Sequence, residues 1–376
     1  MIFYTYAGYP LLVFSLVKLK NMLKKERIYP PVGFLPVTLI VAAFNEEKSI
    51  KSKISNCLKL DYPPGLLKLV FVTDGSTDNT PSIISEYQGI TLLHQPARKG
   101  KPDAISRALS QANTPIAIFS DANTFMNSDS VKSIVRHYAD PSVGAVAGEK
   151  RIMKSADSVG QGEGLYWRYE SLLKKLDSDL KTTVGAAGEL FSIRTELFTP
   201  LPEDTLLEDF VQSMLVCTKG YVVRYEPGAF AEEAASPSLK DELERKIRIS
   251  AGAFQAIGRI KSLFNFFRYP MVCFQLVSHR ILRWTLCPLA LVVLLVCSVF
   301  LYFGSGSVFY EIILFFQVII YISAISGWQL ALKNKQIRVL NIPFYFVFMN
   351  FCVFAGFLRF IRKKQTVLWQ RAERQD

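Results

Sequence analysis

The chain has 376 residues, of which 50% are hydrophobic and 20% charged, with a formal net charge of +12. Its mean hydropathy of +0.22 is high for a wholly soluble enzyme. The basic residues flank apolar segments, as at the cytoplasmic ends of membrane helices, which argues against a nucleic-acid-binding protein. The length predicts two or three domains, and the uneven hydropathy predicts membrane segments at both ends.

The N-terminal segment, residues 1–20, is predicted to be an uncleaved membrane anchor. Residues 2–17 are apolar and nearly uncharged, and lysines follow them. A signal peptide would carry its positive charge before the apolar run and small residues at a cleavage site after it. The run is shorter than the roughly 20 residues that a spanning helix prefers.

Residues 36–235 have the pattern of a globular domain in which strands and helices alternate. Four apolar runs predict strands at residues 37–42, 67–72, 91–93 and 116–119, and helical patterns follow the first three at residues 48–60, 77–87 and 101–112. This alternation predicts an α/β fold with a mostly parallel sheet covered on both faces. Ligands bind such sheets at the carboxyl ends of the strands.

Polar residues cluster after three of these strands. Asn45 and Glu47 follow the first, Asp74 the second, and Asp121 with Asn123 the fourth. Asp74 is a candidate acceptor of hydrogen bonds from a uracil or ribose, or a helix cap. Asp121 and Asn123 offer two oxygen ligands, two residues apart, for one divalent cation that also holds a diphosphate.

Further along the chain, three motifs leave a functional and a structural interpretation open. Lys101, in R-K-G-K, suits a phosphate or lies in a solvated basic turn. Glu208 and Asp209 could supply a base for an acceptor hydroxyl, or simply begin a helix. Glu189, in G-A-A-G-E, would face an acceptor or belong to a plain turn.

Taken together in this order, the motifs resemble those of the family 2 glycosyltransferases, the inverting enzymes that include cellulose, hyaluronan and poly-N-acetylglucosamine synthases. The matching stretches are V-A-A-F-N-E-E (41–47), T-D-G-S-T-D (73–78), R-K-G-K (98–101), S-D-A-N-T (120–124), G-E-L-F (188–191) and L-E-D-F (207–210). The resemblance covers roughly residues 36–258. It implies a GT-A fold, which is a nucleotide-sugar-binding α/β domain.

The resemblance also implies roles for individual residues. It implies that Ala43, Glu47 and Asp74 surround the nucleotide, with Asn45 in the same motif, and that Asp121, with Asn123 nearby, holds Mg or Mn. It makes Asp209 the expected general base, with Glu208 beside it. Lys101 is assigned to the diphosphate and Glu189 to the acceptor.

One stretch departs from the processive members of this family, which carry Q-x-x-R-W after the base. The corresponding residues here are R-K-I-R-I at 245–249. Arg248 matches the motif arginine and could hold the diphosphate, whereas Ile249 offers no aromatic face to an acceptor sugar. Gln255 is a candidate for a polar contact with the acceptor. This favours transfer to a lipid-linked or short glycan acceptor over a processive polysaccharide synthase.

The predicted function is therefore transfer of a sugar from a nucleoside diphosphate sugar, with UDP the most frequent choice in the family. A catalytically inactive scaffold is the alternative, because Asn123 stands where a carboxylate is usual. A nicotinamide-dependent enzyme would need a glycine-rich turn after the first strand, which residues 42–45 lack. A transporter is disfavoured by the scarcity of charge in the apolar segments.

The predicted location is the cell membrane, inner or plasma, with several passes and the catalytic domain in the cytoplasm. Interfacial helices are predicted at residues 236–284, a membrane region at 285–362 and a basic tail at 363–376. Within the membrane region, the candidate spans are residues 285–303, 309–332 and 342–361. Three spans would leave the C-terminus outside, but the basic residues after position 358 favour the inside. Either the third segment is re-entrant or interfacial, or the count is wrong; an inside tail would bring Trp369 and Arg371 towards the active site.

Overall fold

The computed structural model describes residues 1–23, 30, 33–153, 158–333, 335 and 337–368. Trp369 and Arg371 lie outside the described residues. The strands are β1 (Val37–Ala43), β2 (Leu67–Asp74), β3 (Ile90–Gln95), β4 (Ile116–Asp121), β5 (Thr124–Met126), β6 (Val143–Ile152), β7 (Leu190–Arg194) and β8 (Val222–Glu233). The helices are α1 (Tyr9–Leu23), α2 (Ile50–Leu58), α3 (Thr80–Ser85), α4 (Lys101–Leu109), α5 (Ser130–Val135), α6 (Ser158–Leu180), α7 (Glu208–Thr218), α8 (Leu239–Arg259), α9 (Pro270–Leu276), α10 (Leu282–Trp284), α11 (Leu286–Ser305), α12 (Val308–Leu332) and α13 (Arg338–Ile361).

All eight strands belong to one mixed sheet in the order β3-β2-β1-β4-β7-β6-β8-β5. The four predicted strands form its parallel part, with β1 between β2 and β4. The α/β prediction is therefore confirmed. β7 runs antiparallel to β4 and β6, and β5 runs antiparallel to β8, so the second half of the sheet is more mixed than the sequence pattern indicated.

The alternation of side chains along β1 divides the hydrophobic core between the two faces of the sheet. Ile40 packs on the face covered by α4 and α7, and Leu39 and Val41 pack on the face covered by α2 and α5. Because β1 is buried on both faces, its sequence is a continuous apolar run. This central position brings the carboxyl end of β1 next to those of β2 and β4.

Three of the described helices are long and apolar enough to cross a membrane: α11, α12 and residues 339–361 of α13. In the most hydrophobic 18-residue stretch of each helix, 17%, 11% and 39%, respectively, is buried inside the protein. The N-terminal helix is not among them, and its role as a membrane anchor stays a prediction. Tyr9, Val13 and Val17 of α1 pack against α6, so this helix is attached to the globular domain along its inner face.

Candidate active site

A cavity of about 1600 Å³ opens at the carboxyl ends of β1 and β4. Its floor contains Asp121, Gly188 and Glu189, and the first residues of α7, Glu208 and Asp209, form part of its wall. The cavity continues past α6 and α8 to the face of α13. The strand ends at which a ligand is predicted therefore open into this cavity.

Lys101 joins two of the predicted acidic residues. Its Nζ lies 2.7 Å from Oδ1 of Asp121 and 2.9 Å from Oε1 of Glu208. Burial lowers the pKa of Lys101, but the charges of Asp121, Glu208 and Asp209 outweigh it and hold the pKa well above its usual value. Lys101 is therefore a fixed positive charge, as binding of a diphosphate would require.

Asp209 lies in the first turn of α7, where its Oδ1 accepts a hydrogen bond of 2.7 Å from the backbone N–H of Phe210. Burial and the neighbouring charge of Glu208 raise the pKa of Asp209 to about 7, although Lys101 acts in the opposite direction. A carboxylate with this pKa can accept a proton near neutral pH and release it again.

Gly188 lets these groups approach one another. A Cβ atom at this position would lie 2.9 Å from Nζ of Lys101, 3.2 Å from Oδ2 of Asp209 and 3.7 Å from Oδ2 of Asp121. The space above its Cα is thus the point where the cation and the two carboxylates converge. Because Gly188 has no Cβ, these side chains can lie this close to its backbone.

Asp74 anchors the basic loop that follows β3. Its carboxylate accepts hydrogen bonds from the backbone N–H groups of Lys99 (3.0 and 3.2 Å) and Gly100 (2.6 Å). Ala43 and Asp74 line a narrow cleft beside the main cavity, together with Arg98, whose guanidinium stacks over Phe44. Contact of Ala43 and Asp74 with a nucleotide stays a prediction, and the observed role of Asp74 is to shape the loop.

Asn45 and Glu47 connect the loop after β1 to the loop after β2. Asn45 Oδ1 accepts a hydrogen bond of 2.8 Å from the backbone N–H of Thr77, and Asn45 adopts a positive φ of 53°. Glu47 Oε2 accepts one of 3.2 Å from the backbone N–H of Asn79. Neither residue lines the main cavity, so the structure gives both a loop-positioning role, and their contact with the nucleotide stays a prediction.

Glu189 and Asn123 belong to a second charged group in the cavity wall. The ammonium of Lys150, whose side chain is 1% exposed, forms ion pairs with both Glu189 and Glu233. Asn123 Nδ2 donates a hydrogen bond of 3.4 Å to Glu233 Oε1. Glu189 therefore lines the cavity as a charge-paired residue, and its contact with an acceptor stays a prediction.

The two arginines of the R-K-I-R-I stretch on α8 have different surroundings. Arg245 pairs with Glu163 and Glu242, which makes it part of the framework. Arg248 lines the cavity, where the charges of Glu208, Asp121 and Asp209 act against burial, which lowers its pKa. Its predicted place near a diphosphate is compatible with this position.

Gln255 holds the loop before α7, and its contact with an acceptor stays a prediction. Its Oε1 accepts a hydrogen bond of 2.9 Å from the backbone N–H of Leu206, and its Nε2 donates one of 2.8 Å to the carbonyl of Asp204. Both ends of the amide are thus used to hold the loop before Asp209, and the side chain does not line the cavity. Gln255 positions the candidate base through that loop.

The cavity also contains residues that the sequence analysis missed. Trp167 and Lys174 of α6 line it, as do Arg280 and Trp284 from the segment before the membrane helices. Trp167 and Lys174 are seven residues apart and therefore lie on one face of α6. That spacing was the available signal in the sequence.

No group of three or more His, Cys, Asp or Glu side chains within the described ranges is arranged to hold a metal ion on its own. Asp121 is a single carboxylate, and Asn123 adds a neutral amide. A cation at this point would need further oxygen ligands from a bound molecule or water.

The mixed α/β sheet with its flanking helices has a GT-A-like architecture. The structure matches that of the mannosyltransferase PcManGT from Pyrobaculum calidifontis, solved in complex with GDP-Man and Mn2+, with a TM-score of 0.70 and 24% sequence identity. The match covers 97% of this chain and 98% of that one, so the two share an overall fold.

Residues 38–198 match the family model described as Glycosyl transferase family 2, and the chain therefore carries a glycosyl transferase family 2 domain. It is 25% identical over 235 residues to a poly-beta-1,6-N-acetyl-D-glucosamine synthase of Staphylococcus aureus (strain COL) and 23% identical over 238 residues to that of Staphylococcus epidermidis. Each match covers 59% of this chain and 56% of the relative. The chain thus spans little more than half the length of these curated relatives.

Proposed function

We propose that the chain transfers a sugar, with inversion, from a nucleoside diphosphate sugar to a hydroxyl of a lipid-linked or glycan acceptor. The observation that carries this proposal is the convergence of Lys101, Asp121 and Asp209 around Gly188 in one cavity. A raised carboxylate pKa beside a fixed cation suits a reaction in which a hydroxyl loses a proton as a diphosphate leaves. The family 2 domain supports the same class of reaction.

In the proposed reaction, Asp209 accepts the proton of the acceptor hydroxyl while that oxygen attacks the anomeric carbon of the donor. The bond between this carbon and the diphosphate oxygen breaks, and the electron pair leaves with the nucleoside diphosphate. Lys101 and Arg248 stabilise the negative charge that develops on the leaving group. Because the attack and the departure occur on opposite faces, one displacement inverts the anomeric centre.

The residues present fit a divalent cation that is shared with the donor. The ammonium of Lys101 already lies among Asp121 and Glu208, so these side chains accept a positive charge between them. Asp121, with Asn123 beside it, would hold Mg or Mn together with diphosphate oxygens, and the cation would supply charge neutralisation at the leaving group. The mannosyltransferase of similar fold was solved with Mn2+, which supports this choice.

The proposal includes a cytoplasmic active site at the inner or plasma membrane. The six cysteines are free, as is usual in a reducing compartment. The helices α11 and α12 are long and apolar enough to hold the domain at a membrane. Ile249, which lines the cavity where an aromatic residue would stack on a growing polymer, favours single transfer over processive synthesis.

The experiment is a donor panel on the detergent-purified full chain, including UDP-N-acetylglucosamine and GDP-mannose, with Mg, Mn or EDTA. Metal-dependent release of a nucleoside diphosphate from one donor, or selective thermal stabilisation by it, is the expected result. Asp121→Ala serves as the control, because it should weaken donor binding only when metal is present. If no donor is hydrolysed or stabilises the protein under any condition, the inactive scaffold replaces this proposal.

A further inference from the structure

We propose that Lys53 is a positioning residue that holds the D-A-N turn, residues 120–124, in the conformation that places Asp121 beside the donor diphosphate and its cation. This inference rests on the proposed function and adds to it a residue that does not line the cavity. Three features carry it: the burial of Lys53, the hydrogen bonds that its amino group donates to the turn, and the link from the turn to the loop that contains Gly188.

Lys53 is buried in an apolar layer of the domain. Its residue is 0% exposed, and its neighbours on the inner face of α2 are Ile50, Ile54 and Cys57. Burial lowers the pKa of Lys53, and the nearby Cys57 and Asp121 act in the opposite direction. An apolar side chain of similar length would fill this space without the cost of burying an amino group. What the lysine adds is therefore the amino group and the hydrogen bonds that it donates.

The amino group of Lys53 joins the two ends of the D-A-N turn. Its Nζ donates one hydrogen bond of 2.7 Å to Oγ of Ser120 and another of 2.7 Å to the backbone carbonyl of Thr124. In the described part of the chain, it has no hydrogen-bond or ion-pair partner outside the turn. Asp121 and Asn123 lie between these two anchor points, so one atom of α2 fixes both ends of the segment that carries them.

The direction of the hydrogen bonds extends this hold to the neighbouring loop. Oγ of Ser120 donates a hydrogen bond of 3.0 Å to the backbone carbonyl of Glu189. Because a serine hydroxyl has a single hydrogen and a carbonyl can only accept, the Ser120 oxygen must be the acceptor of the bond from Lys53. The serine thus connects Lys53 to the residue after Gly188. Lys53 therefore fixes the D-A-N turn relative to the loop at which Asp121 and Lys101 meet.

A second side chain of α2 makes this role separable from the stability of the strand that follows the turn. Asn56 Nδ2 donates a hydrogen bond of 2.7 Å to the backbone carbonyl of Met126, and Asn56 Oδ1 accepts one of 2.9 Å from the N–H of the same residue. Asn56 thus fastens β5 to α2 independently of Lys53. Loss of the amino group of Lys53 should leave β5 in place and release only the turn.

The test compares Lys53→Met with wild type and with Lys51→Met, which removes an exposed charge from the same helix. The detergent-purified full chain is titrated by calorimetry with the nucleotide sugar that the donor panel selects, in Mn and in EDTA. With Mn, Lys53→Met should bind the donor at least about tenfold more weakly than wild type. With EDTA the two should bind it alike, because only the cation depends on the place of Asp121. Lys51→Met should match wild type in both conditions.

Tm without ligand distinguishes positioning from a structural role. Methionine fills the same space without a buried charge, so the Tm of Lys53→Met should stay close to that of wild type. A large fall in Tm, with donor binding weakened equally in Mn and in EDTA, would indicate a structural role and overturn the proposal. Equal donor affinity of the two proteins in Mn would overturn it as well.

Ser120→Ala removes only the hydroxyl through which Lys53 reaches the neighbouring loop. It should cause the same kind of metal-dependent loss, and the double variant should bind the donor no more weakly than Lys53→Met alone, because both changes break one connection. Additive losses would mean that the two residues act separately, against the proposal. If Lys53→Met does not fold, Ser120→Ala decides alone, and unchanged binding in Mn rejects the proposal.

Hydrogen–deuterium exchange without any ligand separates this proposal from the proposed function. In Lys53→Met, the backbone amides of residues 120–124 and 188–190 should exchange faster than in wild type, whereas those of β1 and β2 should not change. If wild type binds no nucleotide sugar but exchange rises in this pattern, the transfer reaction fails and the hold of Lys53 on the turn stands. If wild type binds the donor and Lys53→Met changes neither exchange nor affinity, only the role of Lys53 is rejected.

Discussion

Asp209 owes its candidate role as a base to its immediate neighbours. It shares the first turn of α7 with Glu208, and both carboxylates lie within electrostatic range of the Lys101 ammonium. Lys101 pairs with Glu208 at 2.9 Å, and within the described part of the chain Asp209 has the backbone N–H of Phe210 as its direct hydrogen-bond donor. The pairing of Glu208 thus keeps Asp209 available for a proton.

Replacing Asp209 with Asn should abolish transfer while leaving donor binding nearly intact, because the base acts on the acceptor alone. Loss of a general base typically lowers kcat by about 10²–10⁴-fold. The measurement is kcat for transfer beside the dissociation constant of the donor. Glu203→Gln, an exposed change in the loop before α7, is the matched control. Wild-type turnover in Asp209→Asn would show that another group takes the proton.

The pKa of Asp209, raised to about 7, also predicts the pH dependence of the reaction. The base works only when ionised, so kcat/KM for the acceptor should rise with pH through about 7 and level off above it. The sign for stability is opposite: a pKa raised by folding gives stabilisation at low pH that is lost as pH rises through 7. Asp209→Asn should therefore gain in Tm relative to wild type at pH 8. If the Tm of Asp209→Asn and the Tm of wild type change with pH in the same way, the pKa of Asp209 is not raised.

The crowding around Gly188 predicts a variant that folds but reacts poorly. In Gly188→Ala, the methyl group would lie 2.9 Å from Nζ of Lys101, and the lysine would have to turn away from Asp121 and Glu208. Misplacing a catalytic group by about 1 Å can cost on the order of 10²-fold in rate. The control is Gly258→Ala on α8, where a Cβ would meet nothing within 4 Å. Similar kcat/KM values in the two variants would contradict the assigned geometry.

At this scale the sequence predicted the residues that a local motif contains. Asp121, Lys101 and Asp209 each stand in a short motif at the end or beginning of an element, and the sheet brings these ends together. The loop contacts of Gln255 were not predictable, because its partners, Asp204 and Leu206, belong to a loop about fifty positions earlier in the chain. Lys53 was not predicted because its burial beneath the D-A-N turn is a property of the folded domain.

The helix α13 is apolar enough to cross a membrane, yet it packs along α8 of the globular domain. Tyr345 OH donates a hydrogen bond of 3.0 Å to Glu242 Oε1 near the beginning of α8, and Phe357 packs against Phe254 near its end, with ring centroids 4.9 Å apart. Between them, Gly356 allows a close crossing with Ser250. The helix thus follows α8 for most of its length and carries the apolar wall of the cavity with it.

Replacing Gly356 with Ala should loosen this packing. The added Cβ would lie 2.5 Å from Cβ of Ser250, 2.8 Å from the backbone nitrogen of Ala251 and 2.9 Å from the carbonyl oxygen of Ile247. Two of these atoms are backbone and cannot rotate away, so the helices must separate, at a cost of about 1–3 kcal/mol. Tm in detergent should fall for Gly356→Ala but not for Gly304→Ala on α11, where a Cβ has open space. Equal Tm values would mean that the crossing adapts.

The elements that sequence patterns missed have identifiable physical causes. β8 contains Pro227 and Gly228, which are typical of turns, and its pairing with β6 shifts register between Gly148 and Glu149. The helix α6 buries Glu170, Lys174 and Asp177 on its inner face, so its burial does not follow hydrophobicity. The parallel strands were predictable because their burial on both faces produces continuous apolar runs.

For the whole molecule, the position of α13 bears on the number of membrane crossings. In its most hydrophobic stretch, 39% is buried inside the protein, compared with 17% for α11 and 11% for α12. Much of the apolar surface of α13 is therefore already in contact with protein. The residues after it return to the active site: a Cβ on Gly100 would lie 2.9 Å from Val367, and Leu368 lines the cleft beside Asp74. We infer that α11 and α12 cross the membrane as a hairpin, while α13 lies along the domain at the membrane surface.

This arrangement resolves the conflict between three apolar segments and the basic residues after them, because two crossings leave residues 362–368 on the side of the active site. Single cysteines at Lys59, Ser305 and Thr366, all exposed positions, test it in a background that lacks the exposed Cys297. In sealed vesicles, an impermeant maleimide should label Lys59→Cys and Thr366→Cys from the same side, and Ser305→Cys, between α11 and α12, from the other. Labelling of Thr366→Cys together with Ser305→Cys would mean that α13 spans the bilayer. The apolar wall of the cavity would then lie at bilayer depth, and a lipid acceptor would enter from within the membrane rather than along its surface.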